Sequence, residues 1–256
     1  MTTAPRTIDP EVTQHVLTDA TAALDALIEA VRALPEGAER AASPLPGWTR
    51  GHVIGHLAGN GRAHARQAEY ATRGEKVDYY DGGLAGREAE IEADSTLPLA
   101  THVAALEAVR ERHAVAWPVP GAPLWRAPVT YRDGILHDCL FAWWREVRIH
   151  AVDAQVGIGF DSWDDAFCGH LLTWLAPRLA HGVSIAPEPW PPAPAGSPSA
   201  PAGSPQAVAG SPSAGTVVTG RLRDIVAWLA GREPERRPVA VRNGEPVPLP
   251  ELLPWP

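Results

Sequence analysis

Glu146 and His150 stand four residues apart in the run Trp143-Trp144-Arg145-Glu146-Val147-Arg148-Ile149-His150-Ala151-Val152-Asp153. In a helix that spacing stacks the two side chains on one face. A carboxylate and an imidazole so placed can share one divalent metal, as inward-facing ligands do in metal-binding bundles. Asp153, three residues beyond His150, falls near the same face. It can accept a hydrogen bond from the imidazole or help to position a substrate. Apolar residues flank these groups, and leaving charged groups unpaired in a core costs several kcal/mol. The competing reading of this segment alone is a solvent-facing i,i+4 pair.

A third ligand must come from elsewhere. His52 and His56 are also four apart. His56 is in phase with Val53 and Ala63 and faces the core, whereas His52 lies nearer the rim, so His56 is the better candidate. Two imidazoles and one carboxylate suit zinc, with nickel and iron as alternatives. Such a set leaves an open position on the metal, as catalytic zinc sites do. His15, His64, His102, His113, His137, His170 and His181 have no comparable spacing and are read as surface or structural residues. There is no Gly-rich phosphate loop, no Gly-x-Ser-x-Gly elbow and no His-Glu-x-x-His signature in the chain. Cys139 and Cys168 are too far apart for a Cys-x-x-Cys site and are read as buried thiols.

The elements that must carry these residues are mostly helical. Val12, Val16, Ala20, Ala23, Leu24, Leu27 and Val31 recur at spacings of three and four, which predicts an amphipathic helix over 11–34. A second helix is expected after Trp48, with Thr49 as N-cap, running toward Tyr70. Gly51, Gly55, Gly59 and Gly61 count against it, because glycine weakens helices. Residues 74–94 are polar, contain Gly82-Gly83 and read as a long loop. A third helix is expected over 97–116, with Val103, Leu106 and Val109 as core positions. A fourth over 135–156 carries Glu146 and His150, and a shorter one covers 164–179. Four long amphipathic helices with one long connection predict a bundle.

After Gly182 the composition changes. Proline becomes frequent, and Ala-Gly-Ser-Pro recurs at 195–198, 202–205 and 209–212 without apolar periodicity. That is linker composition. Beyond it the sequence predicts a strand at 216–219, a helix at 222–230, a strand at 239–241 and a turn at Asn243-Gly244. The expected organisation is therefore a metal-binding bundle over 1–182, a linker over 183–215 and a small α/β domain over 216–256. The formal net charge of -8, with no basic block, argues against nucleic acid and against an electrostatic membrane anchor. No segment has signal-peptide character or about 18 uninterrupted apolar residues, so a cytoplasmic location is expected.

Taken together, Leu45-Pro46-Gly47-Trp48-Thr49 followed by His56-Leu57-Ala58, and Arg145-Glu146 with His150 and Asp153, resemble the mycothiol-dependent maleylpyruvate isomerase family. That family lies within the DinB-like metal-binding bundles. The likeness extends to Asp81-Gly82-Gly83, to Glu90-Ile91-Glu92, to Trp228-Leu229-Ala230-Gly231-Arg232 and to the ending Leu249-Pro250-Glu251-Leu252-Leu253-Pro254-Trp255. It implies a mainly α fold, a DinB-like four-helix bundle followed by a small α/β domain. It also implies zinc on His56, Glu146 and His150, mycothiol as cosubstrate, Asp153 as a functional acid beside the metal and Arg232 as a binder of substrate carboxylate. A thiolate would add to a conjugated cis double bond, and rotation followed by elimination would give the trans isomer. The implied function is a mycothiol-using isomerase or thiol transferase acting on a small molecule. A metal-dependent hydrolase using a metal-bound water is a second reading. A non-catalytic binding bundle is a third.

Overall fold

The computed structural model describes residues 7–188 and 215–256. The chain divides into two compact units, Met1–Ile158 and Gly159–Pro256. Among the described residues, no helix is long and apolar enough to cross a membrane.

The first unit is built on four long helices, α1 (Pro10–Arg32), α2 (Arg50–Ala71), α4 (Leu99–Ala116) and α5 (Leu136–Asp153), with a shorter α3 (Gly83–Asp94) between α2 and α4. Helix α1 starts where Asp9 accepts the Glu11 backbone N–H and Pro10 fixes the first turn. It buries Val16, Ala20, Ala23, Leu24, Leu27, Ile28 and Val31, close to the predicted stripe, although Val12 is left exposed. Thr49 caps α2 as expected. Its hydroxyl accepts the His52 N–H while His52 Nδ1 accepts the Thr49 N–H, a reciprocal box in which histidine takes the place usual for Glu or Gln. Val103, Leu106 and Val109 of α4 are buried. Helix α1 packs on α4 and α5, and α2 packs on α3, α4 and α5.

Helix α3 replaces part of the loop expected over 74–94. It has only one buried residue, Ile91, so no apolar stripe announces it. Its seat is a strip of bare backbone on α2. A Cβ placed on Gly51 would lie 2.0 Å from Ser95 O, one on Gly55 2.8 Å from Asp94 Cβ, and one on Gly59 2.9 Å from Glu90 Oε2. The glycines counted against α2 therefore form, at i, i+4 and i+8, the track on which α3 lies. Gly61 does the same toward the other side, where a Cβ would meet Val109 Cγ1 at 2.4 Å and the Trp143 ring at 3.2 Å.

The second unit contains α6 (Asp165–Leu175), β1 (Val183–Pro187), β2 (Thr216–Gly220), α7 (Leu222–Leu229), β3 (Val239–Arg242) and β4 (Glu245–Val247). The sheet order is β1-β2-β3-β4, with β1 parallel to β2 and the other pairs antiparallel. Asn243 and Gly244 both have positive φ, 54° and 85°, at the β3–β4 turn, the conformation an Asn-Gly hairpin favours. Strand β1 lies within the segment expected to be linker. Its Ile185 is buried and pairs with Val218, but its five residues end in proline and gave no alternation. The Ala-Gly-Ser-Pro repeats lie outside the described residues. The bundle was expected to extend to 182. Instead α6, which buries Phe167, Leu171, Leu172 and Leu175, packs on α7 and lies in the second unit.

Candidate metal centre

Helix α5 is held among large apolar groups. Leu140, Trp143, Trp144, Val147 and Ile149 are all buried, and Trp144 Nε1 donates to Asp19 of α1 at 2.5 Å. This packing fixes the helical face that carries Glu146 and His150. Opposite it, α2 presents His56, buried at 4% exposure, with the Trp48 ring edge-on at 5.6 Å.

The three side chains converge. One ligand atom from each of His56, Glu146 and His150 lies within 4.8 Å of the others. Glu146 Oε2 is 3.0 Å from His56 Nε2 and 3.4 Å from His150 Nε2, so the two imidazoles aim the same nitrogen at one carboxylate. Their rings are near perpendicular, with centroids 4.9 Å apart. The Glu146 side chain keeps 32% of its surface exposed, so the cluster opens toward solvent on the carboxylate side. Two imidazole nitrogens and a carboxylate, close together and open on one side, are a donor set that fits a divalent metal such as zinc.

Burial and mutual hydrogen bonding set the charge states of the three groups. Burial alone would raise the Glu146 pKa, but hydrogen bonds with His150 and His56 hold it well below the usual carboxylate range. Burial alone would lower that of His150, yet hydrogen bonds to Asp153 and Glu146 lift it to about 8. Burial dominates at His56 and lowers its pKa, with the Glu146 hydrogen bond opposing.

Asp153 accepts from His150 Nδ1 at 2.8 Å and has no exposed surface. It stands behind the imidazole, fixing the tautomer that frees Nε2. Of the two roles open to it in the sequence, this geometry favours orienting the imidazole over touching a substrate. His52 is occupied by the α2 cap and lies 3.3 Å from Glu92 of α3. Arg232 belongs to the second unit, where its Nη1 donates to Ala230 O at 2.6 Å and its guanidinium lies 5.7 Å from the Trp255 ring centroid.

Sequence reasoning missed two features. Arg87 of α3 reaches His56, with Nη2 3.3 Å from Nδ1. Its residue stretch read as loop and its partner lies 31 positions away. The second is a buried polar file continuing along α2. Asn60 Nδ2 donates to the Tyr79 and Tyr80 hydroxyls, and the Tyr79 hydroxyl meets His64 Nε2 at 2.7 Å. The signal was present as the four-residue repeat His56, Asn60, His64, which continues the ligand face. Burial lowers the His64 pKa to about 3, so this histidine is neutral.

Residues 20–155 match the family model described as the mycothiol maleylpyruvate isomerase N-terminal domain. The span contains α2, α3 and α5 up to Asp153. Among solved structures, the chain is similar to the crystal structure of the mycothiol-dependent maleylpyruvate isomerase, at 25% identity and a TM-score of 0.77. That match covers 97% of this chain and 100% of the other. A histidine-to-alanine mutant of the same enzyme matches with the same TM-score and coverage at 24% identity. No curated protein sequence matches the chain.

Proposed function

Since the chain belongs to the mycothiol maleylpyruvate isomerase N-terminal domain family, we propose that it is a metal-dependent isomerase that uses mycothiol as cosubstrate. The proposed reaction is cis–trans isomerisation of maleylpyruvate or a closely related unsaturated acid. The observation that carries this reading is the convergence of His56, Glu146 and His150 within 4.8 Å, inside the matched span.

In this reading His56 and His150 through Nε2, and Glu146 through its carboxylate, would hold one divalent metal, with zinc the best fit. When bound, the metal would supply a Lewis-acidic position at which a thiol loses its proton near neutral pH. The protein's own groups prepare that position. Asp153 keeps the proton of His150 on Nδ1 and so leaves Nε2 free to ligate. Glu146, held ionised, supplies the negative charge of the ligand set. The buried contacts of His56 and the packing of α5 hold both ligating helices in place before any ligand arrives.

The chemistry is redox-neutral. The cosubstrate's sulfur forms a bond to one alkene carbon while the π pair moves onto the conjugated carbonyl. The former double bond then rotates, and expulsion of the sulfur restores the alkene as the trans isomer. Arg232 is assigned, by resemblance, to pair a substrate carboxylate.

The test is an isomerisation assay on the zinc-loaded protein, following loss of the cis diacid by absorbance. Turnover that requires added mycothiol is the expected result. Turnover of an ester or amide without any thiol would replace this reading with hydrolysis. No turnover of the cis diacid with thiol and metal present would remove the isomerase assignment.

A further inference from the structure

Arg87 sits on α3, which lies on the glycine track of α2, and its guanidinium touches a metal-site histidine. Nη2 is 3.3 Å from His56 Nδ1, and the guanidinium carbon is 5.7 Å from the Tyr80 ring centroid. The neighbouring arginines are paired with carboxylates. Arg62 meets Glu90 at 2.6 Å, Arg66 meets Asp81 at 3.5 Å and Arg112 meets Glu69 at 2.6 Å. Arg87 has no such partner among the described residues.

The contact itself identifies a conflict. A guanidinium only donates hydrogen bonds, so His56 Nδ1 here accepts and its proton sits on Nε2, facing Glu146. A histidine that ligates a metal through Nε2 carries its proton on Nδ1 and needs an acceptor there. Arg87 cannot be that acceptor. A metal held through Nε2 would therefore break this contact and leave the Arg87 charge beside the centre without a carboxylate partner among the described residues. One carboxylate ligand and one thiolate would balance a divalent ion, so a substrate bearing carboxylates needs a cation from elsewhere.

We propose that Arg87 is that cation: a substrate-binding residue that receives one carboxylate of the unsaturated diacid, released toward it when the metal takes His56. This rests on the isomerase reading for the identity of the substrate, but not for the existence of the anion site.

The experiment uses the full chain and two variants, Arg87→Met and Arg87→Lys. Zinc affinity is measured by competition with a chromophoric chelator. Maleate binding to the zinc-loaded proteins is then measured by calorimetry without thiol. The expected result is zinc affinity in Arg87→Met equal to or several-fold tighter than wild type, because the opposing donor is gone. Maleate should bind Arg87→Met about tenfold more weakly, on the scale of a lost charge-assisted hydrogen bond, with Arg87→Lys intermediate. Equal maleate affinity in wild type and Arg87→Met, or no maleate binding by wild type, overturns the proposal. So does zinc affinity that falls in Arg87→Met, which would make Arg87 a support for His56. Turnover in wild type with unchanged maleate binding in Arg87→Met sinks this inference alone. Absent turnover with weakened maleate binding sinks the isomerase reading and leaves the anion site standing.

Discussion

Helices α2 and α5 bring the candidate ligands His56, Glu146 and His150 together, yet they are built in opposite ways. Helix α5 is fixed by bulk: Trp143, Trp144, Leu140 and Val147 are buried around it. Helix α2 is fixed by absence, since Gly51, Gly55, Gly59 and Gly61 let neighbouring elements come against its backbone. Bulk orients a helix by filling space and tolerates small losses of volume. Bare backbone orients it by close approach, and the smallest added side chain breaks the contact. Helices α2 and α5 should therefore respond differently to mutation, and the candidate site should be most fragile where side chains are missing.

Substitution at Gly61 is the strongest test of that contrast. A Cβ there would lie 2.4 Å from Val109 Cγ1, so Gly61→Val should lower stability by about 3 kcal/mol or more, at the upper end for overpacking. Chemical denaturation reads the effect directly. A loss below about 1 kcal/mol, on the same scale, would mean that α2 is not held by backbone approach.

Acidification probes the same contact from the other side. His113 Nε2 donates to Gly61 O at 2.8 Å, and burial lowers the His113 pKa to about 4. The folded state then binds fewer protons than the unfolded chain between about pH 6.5 and pH 4. His113's contribution is full above pH 6.5 and is lost as the pH falls toward 4, to the extent of about 3 kcal/mol. Unfolding midpoints at pH 7 and pH 4.5 should differ less in His113→Gln than in wild type.

Asp153 tests the α5 side. Replacing the carboxylate that accepts from His150 Nδ1, as in Asp153→Asn, should weaken metal affinity roughly 10- to 100-fold without unfolding the protein. Chelator competition would show it. Unchanged affinity would leave Asp153 without a role in holding the ligand. The smallest effect is expected at Gly169 in α6, where a Cβ would meet nothing within 4 Å. Gly169→Ala should raise stability by up to about 1 kcal/mol, as helix propensity alone dictates. Opposite signs at Gly61 and Gly169 would separate glycines that seat a neighbour from one that does not.

The same contrast explains what the sequence made legible. Glu146, His150 and Asp153 sit on one helix at spacings that report their own geometry, and the bundle helices carry apolar stripes that report theirs. His56 was legible because its phase on α2 points inward. Helix α3 was not, because its only buried residue is Ile91 and its packing surface belongs to glycines on another helix. Read along the chain, those glycines look like a weakness. Only against α3 and α4 do they become contacts. Arg87 was hidden for the same reason, since nothing local links it to His56. Strand β1 was masked by its brevity and by the proline-rich composition that follows, although Ile185 is buried in the sheet.

His56, Glu146 and His150 are proposed to hold one metal ion together. Elemental analysis of the purified protein, beside His56→Ala, Glu146→Ala and His150→Ala, tests it most directly. About one zinc per chain is expected in the wild type, as three-ligand sites hold, with loss of that zinc in all three variants and their helical content intact. A wild type that cannot be loaded with any divalent metal, or variants that keep the metal in full, would contradict it.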